Sequence, residues 1–157
     1  MDKEIVVSAE EELKLRKSFE FGAYLLITQY LAKKHGVDEL ERFARFWGET
    51  AASPERKSLV TRSKKEFLEF EAKIEKVWVG REVEKLDNEE YIGVVMKCPI
   101  KSTSNRHRED LPPDYFCDHI CSIIYPYGYG LLGFESSIEK VNEGCRLIVQ
   151  RGKRCKI

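Results

Sequence analysis

Between Leu15 and Tyr30, apolar residues recur at three- and four-residue steps: Leu15, Phe19, Gly22, Ala23, Leu26, Ile27 and Tyr30. That period belongs to a helix and draws one apolar stripe along about seven turns. Ser8-Ala9-Glu10-Glu11 has the form of a capping box, with Ser8 as N-cap and Glu11 at N3. At the other end, Lys33, Lys34 and His35 suit the carboxyl end of a helix dipole, and Gly36 suits a cap. Asp38 to Glu41 repeats the capping signature, with Val37 as a staple, and Leu40, Phe43, Ala44 and Trp47 form a second stripe. Pro54 ends it, because the residue before proline avoids helical dihedrals. With only Gly36 and Val37 between them, the two helices are expected to pack as a hairpin.

Residues 63–79 fit two periods. Phe67, Phe70, Ile74 and Val77 match a helix capped by Ser63 and Glu66, whereas Leu68, Phe70, Ala72 and Ile74 alternate like a strand. The cap and the Glu and Lys filling favour the helix, which Gly80 stops. Past Gly80 the period shortens to two. Residues 81–97 read as a hairpin around Asp87-Asn88-Glu89-Glu90, and residues 101–111 as an exposed polar loop. Pro112-Pro113 opens a helix with the stripe Phe116, Ile120, Ile123, Ile124 and Tyr127, which Pro126 and Gly128 end. Phe134 to Val141 and Cys145 to Gln150 make a second hairpin. The expected fold is α+β in one domain over residues 1–157. Residues 1–80 are mainly helical; within 81–157 a later helix joins an antiparallel sheet of two hairpins.

The charge balances, 27 basic against 27 acidic side chains, so no whole-molecule field recruits nucleic acid or a membrane. The basic run from Arg146 to Lys156 lacks the aromatic interleaving that stacks bases, so nucleic acid is not an expected partner. No apolar run approaches the roughly 20 residues of a membrane span. The opening Met1-Asp2-Lys3-Glu4 lacks the plan of a secretion signal, and the expected setting is the cytoplasm.

All five cysteines, Cys98, Cys117, Cys121, Cys145 and Cys155, lie in the last 60 residues. An odd count in a reducing compartment argues against a disulfide scaffold. Cys117 and Cys121 are four apart on the expected helix and share a face. Cys98 and Cys145 sit at strand ends. Thiolates gathered this way suit zinc or an iron–sulfur cluster, and the spacing C-x18-C-x3-C-x23-C does not choose between them. The alternative is packing, since free Cys behaves as a small buried hydrophobe. Redox or nucleophilic use is a third. Cys155 lies in the basic tail, whose charge favours its thiolate.

Asp118 and His119 are the acid–base candidates beside the paired cysteines, although an ideal helix points both off the axis through Cys117 and Cys121. His119 needs a distorted first turn to reach them. His107, between Arg106 and Arg108, suits an anion or a solvated loop. Tyr125, Tyr127 and Tyr129, spaced by Pro126 and Gly128, can line a small-molecule pocket or pack a tight connection onto the sheet.

The string Cys98-Pro99, then Cys117-Asp118-His119-Ile120-Cys121, Gly133-Phe134-Glu135 and Glu143-Gly144-Cys145 resembles the L-2-amino-thiazoline-4-carboxylic acid hydrolase-like family over roughly residues 80–157. The Gly144-Cys145 pair with the apolar alternation after it is also similar to the vinyl-4-reductase-like small ligand-binding domains. Both carry a helical amino-terminal half. The resemblance implies ring-opening hydrolysis of a thiazoline-carboxylate-type substrate, and the extra cysteines Cys98 and Cys121 imply a cluster-binding branch. The expected function is a soluble metal- or iron–sulfur-binding protein with a small-molecule pocket, hydrolase-like in activity. The alternative is a non-catalytic sensor or binding module with structural cysteines. The oligomeric state is not legible.

Overall fold

The computed structural model describes residues 8–104, 112 and 114–152. Four helices come first: α1 Ala9–His35, α2 Val37–Ala51, α3 Pro54–Arg62 and α4 Lys64–Val79. The hairpin of β1 Glu82–Leu86 and β2 Glu90–Val95 follows, then the short α5 Pro99–Ser104. A π-helical turn over Cys117–Cys121 runs into α6 Ser122–Leu131, and β3 Phe134–Val141 and β4 Gly144–Arg151 close the chain. The strands form one antiparallel sheet in the order β1-β2-β4-β3. The fold is α+β, as the change of period at Gly80 implies.

Local chemistry sets the boundaries. The Ser8 capping box forms, with the Ser8 side chain accepting from Glu11 N and the Glu11 carboxylate from Ser8 N. Ser53 and Ser63 cap α3 and α4 with the side-chain half of that pattern alone, accepting from the amides of Arg56 and Glu66. Gly80, at φ 76°, takes the left-handed conformation that ends α4 and turns the chain into β1. The Asp87 carboxylate accepts from the amides of Glu89 and Glu90 and shapes the first hairpin turn.

Buried residues alternate along β2, where Tyr91 and Val95 point inward with Leu147 and Val149 of β4. Phe67, Leu68 and Ala72 of α4 and Tyr125, Tyr129 and Leu132 from the α6 segment cover that face. A second core joins Phe21 and Leu25 of α1 to Leu40 and Ala44 of α2, and it continues through Cys98, Ile100, Phe116 and Ile120.

Several expectations are corrected. Residues 63–79 are helical, but the buried face of α4 carries Glu71 and Glu75, while Phe70 and Val77 are exposed. Pro54 opens α3, a helix the periodicity did not reveal. Residues 101–104 belong to α5 and not to a loop. Pro126 and Gly128 lie inside α6 and do not end it. Gly128 is instead where α6 crosses α2: a Cβ on Gly128 would stand 3.2 Å from the Gly48 carbonyl oxygen, and one on Gly48 3.2 Å from that of Ile124. On α1 the buried residues are Phe21, Leu25 and Thr28, and the stripe read from the sequence faces outward. His107 with its flanking arginines, Pro113 and Cys155 lie outside the described residues. No described helix is long and apolar enough to cross a membrane.

Candidate functional site

Three chain segments bring four thiols to one place. The β2–β4 ladder pairs Val95 with Cys145, and beyond it the Cys98 amide donates to the Glu143 carbonyl at 3.2 Å. These contacts hold Cys98 and Cys145 side by side at the end of the sheet. The π-helical turn supplies Cys117 and Cys121 from the layer above. The wider turn of a π-helix is a local irregularity common at functional sites. All four cysteines line an enclosed cavity of about 110 Å³, together with Arg81, Trp78, Tyr125 and Ile138. All four are free thiols. Among the described residues, no three His, Cys, Asp or Glu side chains are arranged as ligands of one metal ion.

Arg81 is the charged element of the site. It follows the Gly80 turn and is 2% exposed. Its Nη2 donates to Cys145 Sγ at 3.3 Å, its Nη1 pairs with Glu75 at 3.4 Å, and its guanidinium lies over the Tyr125 ring at 5.6 Å. Nε makes no hydrogen bond within the protein. Burial opposes the charge, but Tyr125, Glu75 and Cys145 facing it raise its proton affinity, so the cation is permanent. Gly93 makes its berth, since a Cβ there would meet the Arg81 Cδ at 2.7 Å and the Tyr91 hydroxyl at 2.2 Å. No sequence pattern marked Arg81; its signal is its position directly after a helix-ending glycine and before a strand.

Burial first, then the neighbouring thiols, push Cys121 well above the ordinary thiol range. Burial raises Cys145 as well, opposed by Arg81. Burial, with Cys98, Cys145 and Asp114, pushes Cys117 from 9.0 up to about 11. In the free protein these three are therefore neutral thiols at neutral pH. A group whose proton is held more tightly when folded supports the fold below its unfolded pKa and loses that support as pH rises through its folded value. Stability is thus expected to fall between about pH 9 and 11. The Cys117 share is on the order of 1–2 kcal/mol after discounting for its partial exposure. Urea unfolding at pH 8 and pH 10.5 measures this, and an equal drop in Cys117→Ala would remove Cys117 as the cause.

The other candidates separate. Asp118 borders the cavity and is held by Lys140 at 2.8 Å. Asp114, also at the rim, pairs with Lys101 at 2.7 Å. His119 does not line the cavity; it packs on Tyr115 with ring centres 4.4 Å apart and has Nδ1 3.9 Å from Glu41. Even with the π-helical distortion, His119 does not join the cysteines. The tyrosine run also divides. Tyr125 and Tyr129 line a second cavity of about 210 Å³ with Tyr24, Trp47 and Trp78, whereas Tyr127 is turned outward to Glu49.

That second cavity contains a buried carboxylate pair that sequence reading missed. Glu71 and Glu75, one turn apart on α4, accept from the hydroxyls of Tyr129 at 2.9 Å and Tyr125 at 3.2 Å. Arg56 pairs with Glu71 at 3.1 Å. Burial raises both carboxyls, and Arg56 and Arg81 pull them back. Tyr125 and Glu75 border both Arg81 and the aromatic cavity, so a single hydrogen-bonded group links the two spaces.

No protein-family model and no curated protein matches the chain. Among solved structures, the chain is similar to a trafficking protein particle complex subunit 3 from Naegleria fowleri, covalently bound to palmitic acid. The TM-score is 0.53 at 16% identity, over 89% of this chain and 97% of that one. At that identity the likeness is one of fold.

Proposed function

We propose that this protein binds an iron–sulfur cluster through Cys98, Cys117, Cys121 and Cys145, beside a separate aromatic pocket for a small molecule. The observation that carries the reading is the enclosed cavity of about 110 Å³ walled by four thiols with Arg81 buried against it. Cluster ligation needs thiolates, and four of them leave an excess of negative charge. The fixed cation of Arg81, with a spare Nε donor, offsets that charge, and hydrogen bonds toward sulfur tune such centres.

The bound centre would alter the Arg81–Glu75–Tyr125 link and so report its state to the aromatic cavity. This is a sensing role, and it is favoured over hydrolysis because the rim carboxylates Asp114 and Asp118 are held by lysines and His119 faces elsewhere. The palmitic acid of the similar trafficking subunit suggests an acyl group on a cysteine as a second occupant. A cavity below the roughly 300 Å³ of ordinary ligand pockets is small for such a chain, and raised thiol pKa values make poor nucleophiles.

The test is anaerobic purification and reconstitution with ferrous iron and sulfide. The expected result is a brown protein with matched iron and sulfide, whose visible absorption bleaches on reduction and is lost in Cys117→Ser and Cys121→Ser. Iron-free wild type after reconstitution overturns the proposal. Zinc retained in place of iron assigns a zinc site, and an added acyl mass on the intact chain assigns the second reading.

A further inference from the structure

We propose that the aromatic cavity bordered by α1, α2, α4 and α6 binds a compact organic ammonium ion, through the rings of Tyr24, Trp47 and Trp78 and the carboxylate of Glu20. The site is the small-molecule pocket of the proposed function, on which the assignment rests, and it does not depend on the cluster. Glu20 and Tyr24 come from α1, Trp47 from α2 and Trp78 from α4. The Tyr24 ring centre lies 4.5 Å from that of Trp47 and 6.4 Å from that of Trp78, the second pair crossing at 76°. Rings at such angles make a corner and not a flat wall. Aromatic rings carry an electron-rich face, and several of them around one space attract a cation that has shed part of its water. A volume of about 210 Å³, below that of ordinary ligand pockets, limits the occupant to a small molecule.

The charges on the wall select the sign of the occupant. Glu20, Glu71 and Glu75 line the cavity, and Arg56 is the one cationic side chain among its described lining residues. Arg56 is engaged within the chain: its Nε stands 3.1 Å from Glu71 and its Nη1 donates to the Ala51 carbonyl at 2.9 Å. Arg81, from outside this cavity, pairs with Glu75 at 3.4 Å. Glu20 is left over. It accepts from the Tyr24 hydroxyl, and no described lysine or arginine pairs with it. Burial and the Glu20 carboxylate both raise the Tyr24 hydroxyl, so the phenol stays neutral and leaves the charge of Glu20 uncancelled. A second acceptor lies deeper. Glu71 is 1% exposed, and its Oε1 accepts no hydrogen bond although Arg56 is close. An anion would be repelled here, and a neutral molecule would leave Glu20 without a counter-charge beside aromatic surface. A small ammonium ion meets the carboxylate and the rings together.

The chain has two tryptophans, Trp47 and Trp78, and both line this cavity, so intrinsic fluorescence reads its occupancy. The experiment titrates the full chain with choline and with the alcohol in which carbon replaces the choline nitrogen, a probe of the same shape without the charge. Choline is expected to change the tryptophan emission saturably and to bind roughly 10-fold or more tighter than its uncharged isostere. Glu20 is half-buried on a helix surface, so Glu20→Gln keeps the shape and removes the charge. It should weaken choline by about 5-fold or more and leave the isostere unchanged. Equal binding of the two probes, or choline binding untouched by Glu20→Gln, overturns the cation assignment and leaves the small-molecule pocket standing. No saturable change with either probe overturns both. Iron reconstitution reads the cluster separately.

Discussion

Replacing Arg81 with Met is expected to cost about 3–5 kcal/mol of stability at pH 7, the loss typical when one partner of a buried ion pair is removed. Arg81 and Glu75 are 2% and 4% exposed, so water cannot take the place of the lost guanidinium. Glu75 would keep the Tyr125 hydroxyl as its hydrogen-bond partner and only the weaker pull of the Arg56 charge, and Cys145 would lose its donor. The sign of the pH dependence follows from Glu75. Its carboxyl is already raised above 4.5 by burial, and removal of the cation raises it further. A carboxyl with a raised folded pKa destabilises the fold above its unfolded value and costs nothing below it. The deficit of Arg81→Met should therefore shrink toward pH 4 and grow toward pH 7, and Arg81→Met with Glu75→Gln should recover part of it. Urea unfolding of the three variants at both pH values measures this. A deficit below 1 kcal/mol at pH 7, or one equal at the two pH values, would sink the assignment of Arg81 as the charge that holds the site together.

A side chain at Gly144 should cost a comparable amount. A Cβ there would lie 1.7 Å from the carbonyl oxygen of Val95 and 2.7 Å from its carbon. Both are backbone atoms of the neighbouring strand, so no rotamer change relieves the clash. The β2–β4 ladder would have to open where Val95 faces Cys145. Gly144→Val is expected to lose about 3 kcal/mol or more, at the upper end of overpacking costs, and to displace Cys145 from the other thiols. Gly130→Ala is the control. It lies inside α6 where a Cβ meets nothing within 4 Å, so alanine should be neutral or stabilising by up to about 1 kcal/mol. Thermal unfolding of the pair reads the contrast, and equal melting temperatures would show that the strand tolerates Cβ at Gly144. Reconstituted Gly144→Val should also fail to hold iron, which ties the ladder to the proposed cluster.

Much of this molecule is legible in local sequence, because helix starts, strand periods and turns are chosen by groups within a few residues of each other. Ser8 with Glu11, Ser63 with Glu66, Gly80 in the left-handed conformation and Asp87 in its turn each act within one turn of chain, and each forms as its residue type dictates. The cysteine spacing also pointed to a meeting of strand ends with one helix face. The faces of the helices were a different matter. On α1 the longest apolar stripe points outward and on α4 two glutamates point inward, because burial is decided by which partner a face meets, and a carboxylate can be buried where an arginine and a tyrosine from distant segments reach it. Pro126 and Gly128 read as stops, yet the helix continues through them, since packing of Gly128 against Gly48 outweighs the local penalty. Residue order by itself thus determined the caps and turns at Ser8, Ser63, Gly80 and Asp87 and the change from helix to strand after Gly80. Only the tertiary structure decided that Arg81 stands among those thiols, that Tyr127 turns away while Tyr125 and Tyr129 turn in, and that the α1 stripe is left uncovered. Each of these depends on contacts between residues far apart in the chain, and no local period encodes them.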